Sequence, residues 1–185
     1  HERDAGLVPD AVCGDLDSAR ADVLGTLAAK SCRVVRDHNQ DTDDLTKSLL
    51  FLRSAGIVSS SSSSSQRTRV IIVGGLGLNI TQELANLNAF WLFPEIDICF
   101  LSDYNVITSL GPGQHTMSAP RRFGCGIMPF GSPCRRAVTS GLKWNVDGEL
   151  RFGGLISSSN EMIDLTVNVD VTDRILWTWD IKSVL

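Results

Sequence analysis

The sequence predicts an α/β domain with a parallel sheet, followed by an all-β domain. Up to Leu101, apolar strand-like runs alternate with segments whose apolar residues recur at helical spacing, a pattern typical of parallel α/β folds. After Val106 the helical patterns stop, and short segments separated by Gly and Pro indicate a β-sandwich or barrel. We therefore expect an α/β domain over residues 1–105 and a β-sandwich over residues 106–185.

Length and composition exclude several classes of protein. The 185 residues are 43% hydrophobic and 21% charged, enough apolar surface for a packed core. A net charge of −4 argues against binding of nucleic acid through bulk positive charge. No apolar run approaches the roughly 20 residues that span a bilayer, so we expect no membrane association.

The five cysteines form no C-x-x-C pair, and their number is odd. A zinc site and a disulfide framework are therefore both improbable in a chain of this length. Cys13 and Cys99 fall in apolar strand-like runs, where a small buried side chain is expected. This usage of cysteine favours a reducing, cytoplasmic location.

The α/β domain begins with a short strand, and a helix follows with Ser18 as its expected N-cap. The run of serines at 59–65 cannot bury apolar surface and predicts a loop. The predicted elements, in order, are strand Pro9–Cys13, the helix after Ser18, strand Arg33–Arg36, helix Thr42–Leu52, strand Val70–Val73, helix Thr81–Trp91 and strand Ile96–Leu101.

The second domain is predicted from short strands and their turns. Residues 165–171 alternate apolar and polar side chains, which is typical of an antiparallel strand with one wet face. The predicted strands are Val106–Leu110, His115–Ser118, Gly126–Phe130, Ala137–Thr139, Glu149–Phe152, Leu165–Val169 and Ile175–Ile181.

Two acidic clusters follow predicted strands of the α/β domain. Asp15 and Asp17 come directly after the first strand and project to one side of an extended chain. Asp41, Asp44 and Lys47 lie at successive i,i+3 spacings near the start of a helix. A helix N-cap with a spare surface acid explains the first cluster equally well. The helix dipole, which favours acids in a first turn, explains the second at least as well as a functional role does. Together, however, at the strand ends of one sheet, they suit metal-assisted phosphoryl transfer with Mg²⁺.

Three further groups are candidates for ligand binding. Gly74, Gly75 and Gly77 follow a strand, where backbone N–H groups could approach a phosphate, although a tight structural turn is the more common explanation. The glycines alone would also permit a dinucleotide-binding module of the nicotinamide type. Core packing is the leading interpretation of Trp144 from the local sequence, with a stacking platform for a flat ring as the alternative. Residues 157–160 are either a polar loop or a set of ligand donors. Trp177 and Trp179 share a face and read as core.

The order of these motifs resembles the thiamin pyrophosphokinase family over nearly the whole chain. That family carries G-D-x-D-S, Q-D-x-T-D-x-x-K, G-G-x-G-x-R-x-D, G-L-x-W, F-G-x-L-x-S-x-S-N and L-W-T in this order. The corresponding segments here are Gly14–Ser18, Gln40–Lys47, Gly74–Thr81, Gly141–Trp144, Phe152–Asn160 and Leu176–Thr178. The late segments GLKWN and FGGLISSSN are the most specific.

The resemblance implies transfer of pyrophosphate from ATP to thiamin, giving thiamin diphosphate and AMP. It implies Mg²⁺ as cofactor, a homodimer, and an α/β domain followed by a β-sandwich. By position, Asp15, Asp17 and Asp44 would bind the metal–ATP unit, with Asp41 and Lys47 completing the catalytic group and Gly74, Gly75 and Gly77 at the nucleotide. The residues expected around thiamin are Gln40, Trp144, Ser157, Ser159 and Asn160.

The sequence departs from the family pattern at three places. Asn79 and Thr81 stand where the family motif has Arg and Asp, and Asp43 stands where it has Thr. Residues 1–8 contain nothing like the family's earlier A-D-G-G-x-N segment, which predicts an α/β domain without its first strands. These departures motivate an alternative: a catalytically impaired homologue that binds thiamin or dimerises.

Overall fold

The computed structural model describes residues 7–58, 68–77, 79–119 and 122–182. The serine run predicted as a loop at 59–65 lies outside these residues. The chain divides into two compact units, His1–Ser64 and Ser65–Leu185. None of the described helices is long and apolar enough to cross a membrane.

The first unit is a small parallel α/β layer. Strand β1 (Ala11–Gly14) is followed by helix α1 (Ala21–Ala29), strand β2 (Arg33–Arg36) and helix α2 (Asp44–Ser54). The two strands pair in parallel, with Ala11 opposite Arg33, as strand–helix–strand alternation predicts. Helix α2 contacts β1 and helix α1 contacts β2, so this part of the α/β prediction is confirmed.

The two helices of this unit begin differently. Helix α2 begins as expected, because the Asp43 carboxylate accepts a hydrogen bond from the Thr46 N–H at 2.7 Å. The N-cap predicted at Ser18 is wrong: Arg20 is the N-cap residue of α1 and its side chain makes no cap bond. A turn occupies the residues before it, since the Asp15 carboxylate accepts from the Asp17 N–H at 3.0 Å.

The second unit contains two helices and ten strands among the described residues. Its elements are β3 (Arg69–Val73), α3 (Ile80–Leu87), α4 (Ala89–Leu92), β4 (Asp97–Leu101), β5 (Asn105–Leu110), β6 (Gly113–Ser118), β7 (Phe123–Met128), β8 (Cys134–Ser140), β9 (Asp147–Leu150), β10 (Ser157–Met162), β11 (Thr166–Val171) and β12 (Ile175–Asp180).

These strands form two sheets. One has six strands in the order β10-β7-β12-β5-β4-β3, and the other has four in the order β6-β11-β8-β9. Only β3 and β4 pair in parallel among the described strands of this unit. Side chains from both sheets, including Ile127, Val169 and Trp177, are buried in one apolar cluster, so the predicted β-sandwich is confirmed.

The six-stranded sheet continues across the boundary predicted at residue 105. Strand β4, which the sequence assigns to the α/β domain, pairs antiparallel with β5, and Cys99 lies opposite Thr108. A tight turn makes this possible, because the Ser102 hydroxyl accepts from the Asn105 N–H at 3.0 Å. The division at 105 and 106 stays a prediction about domain organisation.

Candidate functional site

The predicted site residues fall into groups on the two units. The acidic cluster and Gln40 belong to the first unit, while the glycine turn and the candidate thiamin residues belong to the second. Each group has its own local geometry. The strand and helix ends that carry the sequence motifs also position the residues of each group.

The carboxylate of Asp44 lies across the end of strand β1. Its Oδ1 atom accepts a hydrogen bond from the Asp15 N–H at 3.3 Å. The strand end before it must be glycine, because a Cβ on Gly14 would lie 2.9 Å from the same oxygen and Gly14 has φ +154°. The first and second acidic clusters therefore meet through Asp15 and Asp44.

Lys47 lies buried one turn further along α2. Its side chain is 2% exposed, and its Nζ atom lies 3.4 Å from Oδ1 of Asp44, whose side chain is 64% exposed. The ammonium group thus holds a carboxylate that faces solvent. Burial raises the pKa of the Cys13 thiol, the nearby charges of Asp37 and Asp44 raise it further, and Lys47 lowers it.

The remaining residues of the acidic group make only local contacts among those described. Asp17 is exposed, and its N–H donates to the Asp15 carboxylate. Asp41 is exposed, and its N–H donates to the Asn39 side chain at 2.9 Å. Gln40 is exposed as well. The structure therefore brings Asp15, Asp44 and Lys47 into contact, and the roles of all these residues stay predictions.

The donor set fits a cation that also binds phosphate. In the described ranges, no three His, Cys, Asp or Glu side chains are grouped so as to hold a metal ion by themselves. Mg²⁺ bound to a nucleotide needs only one or two protein carboxylates, because phosphates and water complete its octahedral shell. The solvent-facing Asp44 carboxylate, which accepts from the Asp15 backbone N–H, supplies one such ligand, and the Asp15 carboxylate is the candidate for the second.

The glycine turn docks helix α3 onto the end of β3. Gly74 and Gly77 have φ values of +77° and +112°, which favour glycine. The Gly77 N–H donates to the Glu83 carboxylate at 2.8 Å, and the Asn86 amide donates to the Gly75 carbonyl at 2.7 Å. A structural turn accounts for these contacts, and the nucleotide role of Gly74, Gly75 and Gly77 stays a prediction.

Asn79, one of the departures from the family motif, caps helix α3. Its side chain accepts from the N–H groups of Thr81 and Gln82, at 2.9 and 3.4 Å. The residue that replaces the family's Arg therefore stabilises the first turn of the helix.

A cleft of about 500 Å³ opens on the second unit beside Trp144. Three of the predicted thiamin residues line it: Trp144, Ser159 and Asn160. Trp144 is 56% exposed, so its ring is a surface platform and not core. Ser157 does not line the cleft but accepts a hydrogen bond from the Asn160 amide at 2.9 Å.

The sequence was compatible with two interpretations of residues 157–160, a polar loop or a set of hydrogen-bond donors for a ligand. They belong to strand β10, which the sequence did not predict because Ser and Asn are poor strand formers. The strand pairs with β7, and Asn160 lies opposite Cys125. The three cleft residues from this segment, Ser158, Ser159 and Asn160, are therefore placed by a sheet.

The floor of the cleft comes from β7 and β12, and the sequence analysis missed it. Gly124, Cys125, Thr178 and Asp180 line it. A Cβ on the neighbouring Gly126 would lie 2.7 Å from Oγ1 of Thr178, so small residues on β7 let these strands approach. Alternation along β12 could have indicated Thr178 and Asp180, because they lie on the face of the strand opposite the buried Trp177.

Charge in the cleft is mixed. Glu161 and Asp180 supply carboxylates, and Arg122 supplies a guanidinium. Burial raises the pKa of Cys125 to about 11, and the nearby Glu161 charge adds to the effect. The thiol is therefore protonated at neutral pH. Such a cleft can hold a flat ring against Trp144 and a positive charge near its carboxylates.

Comparison with known families assigns the residues to two family domains. Residues 1–100 match the family described as thiamin pyrophosphokinase, catalytic domain, and residues 114–176 match thiamin pyrophosphokinase, vitamin B1 binding domain. The first match contains the acidic cluster and the glycine turn. The second contains most of the cleft.

Individual relatives of the chain are also named thiamine pyrophosphokinases. The chain is 36% identical to thiamine pyrophosphokinase 2 of Arabidopsis thaliana over 181 residues, which cover 95% of this chain and 66% of that protein. It is 33% identical to thiamine pyrophosphokinase 3 of Oryza sativa subsp. japonica, with 94% and 67% covered. The chain thus spans about two thirds of the length of these relatives.

Solved structures share the fold. The thiamin pyrophosphokinase from Candida albicans superposes with a TM-score of 0.83 at 18% identity, covering 95% of this chain and 74% of that one. The thiamine pyrophosphokinase from Bacillus subtilis gives 0.75 at 20% identity, covering 96% and 80%. The chain therefore shares the fold of these solved structures.

Proposed function

Because this chain belongs to the thiamin pyrophosphokinase family, we propose that it transfers a pyrophosphoryl group from ATP to thiamin, giving thiamin diphosphate and AMP. The cleft beside Trp144 carries the proposal. It combines an exposed indole, the strand hydroxyl of Ser159 and the acids Glu161 and Asp180. The aminopyrimidine ring of thiamin can stack on the indole, and the two carboxylates attract its thiazolium cation.

The reaction is a displacement at phosphorus. The hydroxyl oxygen of thiamin forms a bond to the β-phosphorus of ATP, the bond from that phosphorus to the bridging α–β oxygen breaks, and AMP leaves with the electron pair. The hydroxyl proton is released to water. Such a transfer needs positioning and neutralisation of phosphate charge more than covalent help from the protein.

The acidic cluster is proposed to hold the Mg²⁺ that accompanies ATP. Asp15 and Asp44 would be its ligands, with Asp17 as a third and Asp41 nearby. When bound, Mg²⁺ offsets the charge that phosphate oxygens carry. Lys47 keeps the Asp44 carboxylate in place through the 3.4 Å contact. Gly74, Gly75 and Gly77 are proposed to face the nucleotide, which requires the Gly77 N–H to exchange its Glu83 partner for phosphate.

The wider setting is proposed on the same basis. We expect a homodimer in the cytoplasm that acts on small molecules and engages neither nucleic acid nor membrane. The thiols of all five cysteines are free, which suits a reducing compartment. Gln40 and Ser157 complete the proposed thiamin surroundings, Ser157 through its contact with Asn160.

The relatives named above support the catalytic function and not the impaired alternative. Titration calorimetry with thiamin tests the binding half of the proposal. Saturable heat is expected from the wild type and little from Trp144→Ala. Folded wild-type protein that produces no heat with thiamin would overturn the assignment of the cleft.

A further inference from the structure

The side chain of Asn160 is buried at the edge of the cleft and bonded on every side. It is 5% exposed. Its Nδ2 atom donates to the Trp144 carbonyl oxygen at 2.7 Å and to the Ser157 hydroxyl at 2.9 Å. Its Oδ1 atom accepts from the N–H groups of Trp144 and Glu161, at 3.2 and 2.9 Å.

These contacts use the full capacity of the side chain. A primary amide offers two N–H donors and one oxygen with two lone pairs, and the bonds above occupy all four. A buried donor without a partner is costly, so a ligand in the cleft could bond to Asn160 only by breaking one of them. Asn160 is therefore poorly suited to contact thiamin directly.

Two of the bonds go to one residue. The amide of Asn160 pairs with both the N–H and the carbonyl of Trp144, as a neighbouring strand would. It thereby ties the loop after β8 to strand β10. We propose that Asn160 is a positioning residue, which fixes the backbone of Trp144 so that the indole stands at the cleft as a stacking platform.

The neighbours of Trp144 add to this arrangement. The Lys143 N–H donates to the Glu161 carbonyl at 2.9 Å. The Lys143 ammonium lies 4.6 Å from the centre of the Trp144 ring and 3.3 Å from the Glu161 carboxylate. The Lys143 ammonium, which is paired with Glu161, thus covers one face of the indole. The other face is available to a ligand.

The positioning role rests on the proposed function only where thiamin is concerned. Its structural half is testable without ligand. In protein labelled with 5-fluorotryptophan, ¹⁹F NMR reports each indole separately, and Trp144→Phe identifies the Trp144 resonance. Asn160→Ala is expected to shift or broaden that resonance and leave those of Trp91 and Trp177 unchanged. Ser157→Ala, which removes one of the four bonds, is expected to cause a smaller change of the same kind.

Asn168→Ala is the matched control. Asn168 lies exposed on β11, and its side chain contacts Thr116 and Ser140. It is expected to leave the Trp144 resonance unchanged. If Asn160→Ala prevents folding, Asn160→Asp keeps the acceptor oxygen and loses the two donors, and the same perturbation is expected. A Trp144 resonance that is unchanged in the folded variants would overturn the proposal.

Thiamin kinetics supply the functional readout. Asn160→Ala is expected to raise the KM for thiamin about tenfold, the loss expected when a stacking surface is displaced, with kcat changed much less. In the Trp144→Ala background the same substitution is expected to change KM little, because its effect passes through the indole. Additive effects would show direct contact with thiamin and overturn the positioning role. Failure of the proposed function leaves the NMR result intact.

Discussion

Gly14 and the carboxylate of Asp44 approach so closely that a side chain on the strand would meet it. A Cβ built on Gly14 would lie 2.9 Å from Oδ1 and 3.1 Å from Cγ of Asp44. This contact sets how near the end of β1 lies to the start of α2. The glycine of the G-D-x-D-S motif therefore has a steric role in bringing the two acidic clusters together.

Gly14→Ala is expected to lower stability and activity together. The added methyl group must push the Asp44 carboxylate away, and the φ of +154° is unfavourable for alanine. We expect the free energy of unfolding to fall by about 1–3 kcal/mol, the usual cost of overpacking. Urea denaturation measures it.

Gly25→Ala provides the control. Gly25 lies inside α1, and a Cβ there would meet nothing within 4 Å. Alanine should stabilise the helix by up to about 1 kcal/mol. A Gly14→Ala protein as stable and active as the wild type would show that the close approach is not required.

Asp44→Asn tests the pairing with the buried Lys47. Removing the carboxylate leaves an ammonium group, 2% exposed, without its charged partner. We expect a loss of about 1–3 kcal/mol in the free energy of unfolding and loss of turnover. In the double variant with Lys47→Met, stability should recover while turnover stays absent, because the proposed metal ligand is still missing. Recovery of both would remove Asp44 from the metal site.

Trp144→Ala tests the stacking surface. The indole is 56% exposed, so its removal should leave the fold intact. We expect thiamin to bind about 1–3 kcal/mol more weakly, the range for loss of an aromatic platform. Phe152→Ala is the control, since Phe152 is 60% exposed and does not line the cleft. Calorimetry that shows equal losses for both variants would contradict the platform.

The ion pair of Asp173 and Arg135 predicts how stability depends on pH. Hydrogen bonds from the Arg135 side chain and N–H, and from Thr172, lower the pKa of Asp173 to about 2. Because the folded pKa lies below the ordinary value near 4, the pair stabilises above that value and the contribution is lost as pH falls toward 2. Asp173→Asn should flatten the melting-temperature profile between these limits. A parallel profile would refute the coupling.

The order and type of the first elements could be predicted from the sequence because their signals are local. Apolar strands next to helical spacing placed β1, β2 and α2 within a few residues. The start of α1 could not be placed, because Ser18 is an eligible cap and the turn through Leu16, at φ +61°, is invisible in the sequence. Helix propensity does not show which of several polar residues begins a helix.

The sequence predicted some of the residues that line the cleft and missed others. Trp144, Ser159 and Asn160 line one cleft, as the motifs suggested. The hydrogen bonds between Asn160 and Trp144 could not be predicted, because they join residues that are far apart in the chain. Gly124, Thr178 and Asp180 were missed for the same reason: the contacts that form a cleft floor arise from register between β7 and β12. Register is set by the whole sheet and not by local pattern.

The central claim is tested most directly by the products formed from ATP. The chain is incubated with ATP, Mg²⁺ and thiamin, and nucleotides and thiamin esters are separated and quantified. We expect AMP and thiamin diphosphate in equal amounts, with formation of both dependent on Mg²⁺ and abolished by Asp17→Asn in a protein that still folds. ADP with thiamin monophosphate, or no product from folded protein that binds thiamin, would contradict it.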